Sequence, residues 1–85
     1  MPTVRGYTLS YCPWCKRTKK FFADRDIPFD CVDYDLVDKA EQARIDDEIS
    51  RYSVGDVSFP YVVIGETVVM GYHPDRYKEL LGLDE

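Results

Sequence analysis

Cys12 and Cys15 stand two residues apart, at the junction between a strand-like run and a helix-like one. Val4 to Leu9, rich in β-branched and aromatic types, reads as a first strand. Ser10-Tyr11 is a short turn. Pro13 suits the first position of a helix, where its missing N–H costs nothing. That helix then runs from Pro13 to about Arg25, with Thr18, Phe21 and Phe22 at inward-facing spacings. It ends at Asp26-Ile27-Pro28, because the residue before a proline leaves the helical region. A strand that feeds a helix is the first step of an alternation of strands and helices that gives an α/β layer structure.

The rest of the chain continues the alternation. Phe29 to Asp33 reads as a second strand. Asp35 or Asp38 can cap a second helix over about 38–52, in which Ile45, Ile49 and Tyr52 form an apolar stripe. Ser53 to Ser58 is a loop. Tyr61 to Ile64 and Thr67 to Met70 are strands joined by the tight turn Gly65-Glu66, and so form an antiparallel hairpin. Gly71-Tyr72-His73-Pro74 is a second loop. Asp75 lies near the start of a last helix with Tyr77, Leu80 and Leu81 inward, and Gly82 ends it. The order is β-α-β-α-β-β-α, and the right-handed crossover rule makes the first two strands parallel.

Composition narrows the function classes. The chain has 85 residues, 45% of them hydrophobic and 14% aromatic, which fits one globular domain. The first residues lack the apolar run that export requires, and no stretch reaches the length of a membrane span. A formal net charge of −5 argues against general nucleic-acid binding. The charge is segregated. Before residue 26, Arg5, Lys16, Arg17, Lys19, Lys20 and Arg25 face Asp24 alone, and most of these cations directly follow the cysteine pair. The chain has three cysteines, too few for the usual disulfide scaffold of a small secreted domain. A lone C-x-x-C without an export signal reads as redox or metal chemistry in the cytoplasm.

Placement gives Cys12-Pro13-Trp14-Cys15 its meaning. A Cys12 sulfur at a helix N-terminus lies near N–H groups with no partner in the helix, and the helix end carries partial positive charge. Both favour a thiolate, and Lys16 and Lys19 can add to the effect. Cys15, in the first turn, lies beside Cys12 and is less exposed. The division of labour follows: Cys12 attacks a substrate disulfide, and Cys15 resolves the mixed disulfide. A structural zinc site would need four ligands, and the remaining candidates, Cys31 and His73, lack zinc-like spacing. Cys31 reads as a small buried hydrophobe on a strand, with a regulatory thiol as the functional alternative. His73 reads as a solvated loop residue, with donation to a bound substrate as the alternative. Trp14 and Tyr72 can form an apolar rim for a protein partner. The basic run from Lys16 to Lys20 is either a solvated helix face or, if it borders the site, a means of steering acidic partners.

With these motifs in place, the chain resembles the glutaredoxin-like family of the thioredoxin superfamily along nearly its whole length. Cys12-Pro13-Trp14-Cys15 resembles the C-P-Y-C of dithiol glutaredoxins, and Phe59 to Gly65 (FPYVVIG) resembles their cis-proline strand. Gly71-Tyr72-His73-Pro74-Asp75 resembles the G-F-x-P-D signature of NrdH-type redoxins, which are glutaredoxin-like in sequence and thioredoxin-like in electron source. The resemblance implies a thioredoxin fold with a four-stranded mixed sheet of order 2-1-3-4, helices on both faces, and a cis Pro60 facing the cysteines. It implies that Phe59 pairs through its backbone with a substrate, and that Pro13, Trp14, Gly71, Tyr72 and Asp75 complete the groove.

Where many glutaredoxins carry a lysine for a glutathione carboxylate, this chain has Leu9. Tyr72 replaces the second Gly of G-G-x-D, and Pro74 removes an N–H there. The resemblance therefore implies a monomeric electron carrier without bound cofactor. It reduces protein disulfides, ribonucleotide reductase being one example, and is recharged by a reductase of thioredoxin-reductase type. A glutathione-dependent glutaredoxin is the alternative. An iron–sulfur module held through Cys12 belongs to another class, and Pro13 weighs against it, since cluster-binding relatives generally have a smaller or more flexible residue there.

Overall fold

A computed structural model describes residues 2–53 and 55–83; Met1, in the N-terminal stretch, and Val54, in the expected loop 53–58, lie outside the described residues. The elements are β1 (Val4–Thr8), α1 (Pro13–Asp24), β2 (Asp30–Asp33), α2 (Lys39–Tyr52), β3 (Tyr61–Ile64), β4 (Thr67–Met70) and α3 (Pro74–Leu81), with a short 3-10 turn at Tyr34–Leu36 before α2. The four strands form one sheet in the order β2-β1-β3-β4. β1 runs parallel to β2 and antiparallel to β3, and β3 and β4 form the hairpin. This is the thioredoxin-like topology that the sequence implies.

Alternation along β1 sorts its side chains between two cores. Val4 joins Phe21, Phe22, Ile27, Val62, Ile64, Val69, Tyr77 and Leu81 on the face covered by α1 and α3. Tyr7 joins Ile45, Ile49, Tyr61 and Val63 under α2 on the other face. Gly6 lies between them, and a Cβ there would sit 2.1 Å from the Tyr61 carbonyl oxygen, so only glycine lets β1 and β3 pair this closely.

Helix ends explain where the elements stop. Asp38 caps α2 by accepting from the Glu41 N–H, which decides between the two candidate caps. Asp35 instead holds the loop before α1, accepting from both the N–H and the hydroxyl of Ser10. The end of α1 differs in mechanism from the proline rule. Asp26 takes a left-handed backbone (φ 55°), and the Ile27 N–H bonds to the Phe22 carbonyl (2.9 Å). At the end of α3, Gly82 adopts the left-handed conformation (φ 69°) expected of a closing glycine.

Two side chains depart from their expected places. Tyr52, on the expected apolar stripe of α2, is 46% exposed. It is the last residue of the helix, and its hydroxyl accepts from Arg5 (3.0 Å). Cys31 is half-buried and not in the core proper. It sits on the edge strand β2, opposite Gly6, which offers it no side chain across the strand pair. Leu80 is half-buried against the α1–α3 core.

Candidate functional site

Cys12 and Cys15, the pair singled out by the sequence, sit where β1 delivers the chain to α1. Cys12 is the N-cap residue, with extended backbone (φ −86°, ψ 117°) and Pro13 directly after it. Its Sγ accepts from the Cys15 N–H (3.3 Å), one of the N–H groups that a helix N-terminus leaves without an internal partner. The loop feeding this corner is fixed on both sides: the Cys12 N–H bonds to the Leu9 carbonyl (3.2 Å), and Ser10 is held by Asp35. Cys12 is partly exposed, whereas Cys15 is fully buried, at 0%. The Leu9 N–H donates to the Cys15 Sγ (3.4 Å). Burial, with the contact to Cys12, pushes the Cys15 thiol up to about 12, against the opposing effects of the Leu9 N–H and the Lys19 charge. Cys15 is thus a proton-holding thiol within reach of an accessible one.

Lys16 and Lys19, both expected to support the sulfurs, part company. Lys16 is exposed. Lys19 turns toward β2 and pairs with Asp33 (3.0 Å). Burial weighs against its charge, but the hydrogen bond and charge of Asp33 outweigh it and raise the ammonium above the ordinary lysine value. The Thr8 hydroxyl, wholly buried, donates to the same carboxylate. These two donors hold the Asp33 carboxyl below the usual aspartate value. Lys19 lies close enough to Cys15 to favour its thiolate.

A second wall comes from the start of β3 and the loop after β4. The Phe59–Pro60 peptide is cis, and the Pro60 carbonyl accepts from the Gly71 N–H (2.8 Å). The Gly71 carbonyl in turn accepts from the buried Tyr77 hydroxyl (2.6 Å), so α3 holds the turn from below. Gly71 has φ 91°, a left-handed value that favours glycine. Trp14, Phe59, Gly71, Tyr72 and His73 line a shallow pocket of about 270 Å³. Trp14, 52% exposed, stacks on Tyr72 with centroids 5.9 Å apart, and Arg17 lies over the Trp14 ring (4.8 Å). Trp14 and Tyr72, expected from the sequence to form an apolar rim, thus lie side by side in one pocket. Asp75 is exposed in the first turn of α3 and is not among the side chains lining this pocket. Exposed His73 does line it.

Several partners were not legible from sequence. Asp35 on Ser10, Thr8 on Asp33 and Tyr77 on Gly71 each join segments far apart in the chain. The Arg17–Trp14 contact was within reach, because residues three apart on a helix share a face. Among the described residues, no group of three or more His, Cys, Asp or Glu side chains is arranged to hold a metal ion, and no helix is long and apolar enough to cross a membrane.

The glutaredoxin family model matches residues 4–69. Among solved structures, Methanosarcina acetivorans methanoredoxin is similar over 95% of this chain and 85% of its own, with 32% identity and a TM-score of 0.85. The glutaredoxin of Archaeoglobus fulgidus covers 95% of this chain and 87% of its own, with 34% identity and a TM-score of 0.82. A glutaredoxin-like protein in the rubredoxin operon of Clostridium pasteurianum is 24% identical over 92% of this chain and 96% of its own.

Proposed function

The chain belongs to the glutaredoxin family and is a thiol–disulfide oxidoreductase, and from that premise we propose that Cys12 is its nucleophile and Cys15 its resolving thiol in the reduction of protein disulfides. One observation carries the assignment: at the start of α1 an accessible sulfur accepts an N–H at 3.3 Å from a cysteine whose own sulfur is fully buried. An incoming disulfide can reach Cys12 and not Cys15.

The exchange balances in two steps. The Cys12 thiolate attacks one substrate sulfur; the other leaves as a thiolate and takes up a proton. Cys15 then gives up its proton, attacks the Cys12 sulfur and expels the second substrate thiol. Two electrons pass from the dithiol to the substrate, and the chain is left with a Cys12–Cys15 disulfide. The high proton affinity of Cys15 suits the order of events, because it stays a thiol until Cys12 has reacted. Phe59 offers its backbone to the extended substrate segment, and Pro13, Trp14, Pro60, Gly71 and Tyr72 shape the groove. Asp75, exposed in the first turn of α3, is not part of this groove's lining. Lys19 supports the sulfurs through charge, and Lys16 does so from solvent.

The electron source in this reading is a reductase of thioredoxin-reductase type, as in NrdH-type redoxins, and the setting is the cytoplasm. Leu9 supports this by offering no cation beside the dithiol. Tyr72, stacked on Trp14, supports it by filling the position where a second glycine would open the loop. Ribonucleotide reductase is one substrate that fits such a carrier.

Insulin reduction driven in parallel by NADPH with a thioredoxin reductase, by NADPH with glutathione and glutathione reductase, and by dithiothreitol tests the reading. Turnover with the thioredoxin reductase and not with glutathione is expected. Turnover with glutathione alone would move the chain to the glutathione-dependent branch. In the same assay Cys12→Ser should abolish turnover, and Cys15→Ser should accumulate mixed disulfides visible by mass spectrometry. Full activity in Cys12→Ser would overturn the assignment.

A further inference from the structure

The chain carries 16 acidic and 11 basic residues, yet one cleft beside the dithiol is basic. It lies between α1 and α3, has a volume of about 360 Å³, and is lined by Arg17, Lys20, Arg25 and Lys78, with Asp24 the one carboxylate among the described lining residues. Elsewhere most cations are paired internally: Arg5, Lys19, Arg44, Arg51 and Arg76 each meet a carboxylate, and among the described residues only Lys16 and Lys39 outside the cleft do not. Among the described residues neither Arg17 nor Lys78 does so. Lys20 meets Asp24, but both are exposed, and such a pair contributes little and yields readily to competing charges. The Arg17 guanidinium is held against the Trp14 ring, a contact that orients the cation without neutralising it.

The cleft is continuous with the site. Tyr72 lines both it and the pocket that holds Trp14 and Phe59. Arg17 spans the same boundary, lining the cleft while stacking on the residue before Cys15. A polypeptide whose disulfide has reached Cys12 therefore has a line of cations beside it.

We propose that this α1–α3 cleft docks an acidic segment flanking the disulfide of the protein substrate. The proposal rests on the dithiol reading above and adds the chemistry of the partner. The acids of the partner lie along Arg17, Lys20 and Lys78 while its disulfide meets Cys12. Complementary charge of this kind raises the rate of encounter and is screened by salt.

The test uses the dithiothreitol-reduced, desalted protein as sole reductant. Its substrates are matched peptides bearing one disulfide flanked by glutamate, serine or lysine, and the peptide thiols released are followed by chromatography. At low ionic strength the glutamate peptide should be reduced about tenfold faster than the lysine peptide, and this gap should close near 0.5 M salt. The double variant Lys20→Gln, Lys78→Gln should bring the glutamate peptide down toward the serine peptide and leave the serine rate unchanged. An equal loss on all peptides would show a structural effect and overturn the proposal. Equal wild-type rates on all peptides would overturn it too, while leaving the dithiol reading standing. Failure to reduce any peptide would remove the dithiol reading, and this inference with it. A gap of equal size at high salt would also count against docking by charge.

Discussion

On the face of the sheet covered by α1 and α3, aromatic rings meet in series: Phe22 lies 5.1 Å from Phe21, 5.0 Å from Phe29 and 5.3 Å from Tyr77. On the opposite face, α2 contributes two buried isoleucines, Ile45 and Ile49, and its contact with β1 is completed by polar groups. Glu48 accepts from Arg5 (2.7 Å) and from the Tyr7 hydroxyl, and Arg5 also donates to Tyr52. The first face is held by non-directional apolar burial, which neither salt nor pH weakens greatly. The second depends partly on charges that are about a quarter exposed and so are open to screening. The proposed dithiol sits on the first. Cys15 projects from the helix that carries Phe21 and Phe22, and Tyr77 holds the turn opposite. The two cysteines and that turn are thus fixed by the more robust of the two packings.

Phe22→Ala should break the comparison most forcefully. Phe22 is fully buried and touches three other rings, so its truncation should cost about 4 kcal/mol in equilibrium urea unfolding. A loss below about 1 kcal/mol would show that the aromatic series is not what holds this face.

Deleting one hydroxyl on each face sharpens the contrast. Tyr77→Phe leaves the Gly71 carbonyl without its buried donor and should cost about 1.5 kcal/mol. Tyr7→Phe leaves Glu48 still paired with Arg5 and should cost less than about 1 kcal/mol. Paired thermal melts compare them directly. Equal losses would mean that the polar trio under α2 is as constraining as the packed face.

The smallest effect concerns Asp33, the one carboxylate tied into the α1 side through Lys19 and Thr8. Its folded pKa is lowered, so the stability it contributes is present above the ordinary aspartate range and is lost as pH falls through that lowered value. Asp33→Asn should therefore lower stability by no more than about 1 kcal/mol near neutrality, with the difference from wild type vanishing in strong acid. Melting temperatures across an acid titration would show the convergence. A gap that widened on acidification would reverse the assignment.

Much of this architecture could be read from local patterns. The cysteine junction, the hairpin at Gly65-Glu66 and the closing Gly82 are short-range signals, and the structure has each in its expected place. Local patterns failed where the deciding partner lay elsewhere. Tyr52 fits the apolar stripe by spacing, but as the last residue of α2 it meets Arg5 of β1 and stays exposed. Cys31 reads as core, but its strand is at the sheet edge beside a glycine. Asp35 and Asp38 are equivalent as caps until the position of Ser10 is known. Lys16 and Lys19 look alike along the helix, and only the second faces Asp33. In each case the missing information is a contact between segments remote in sequence, which periodicity does not encode.

The single tryptophan of the chain is residue 14, between the two cysteines and in contact with Arg17 and Tyr72. Indole emission responds to nearby sulfur and to the polarity around the ring. A Cys12–Cys15 bond, as proposed, would form between the cysteines on either side of this chromophore, with no other indole to dilute a change in its emission. Emission of unlabelled protein would then serve as a direct gauge of the oxidation state of that pair.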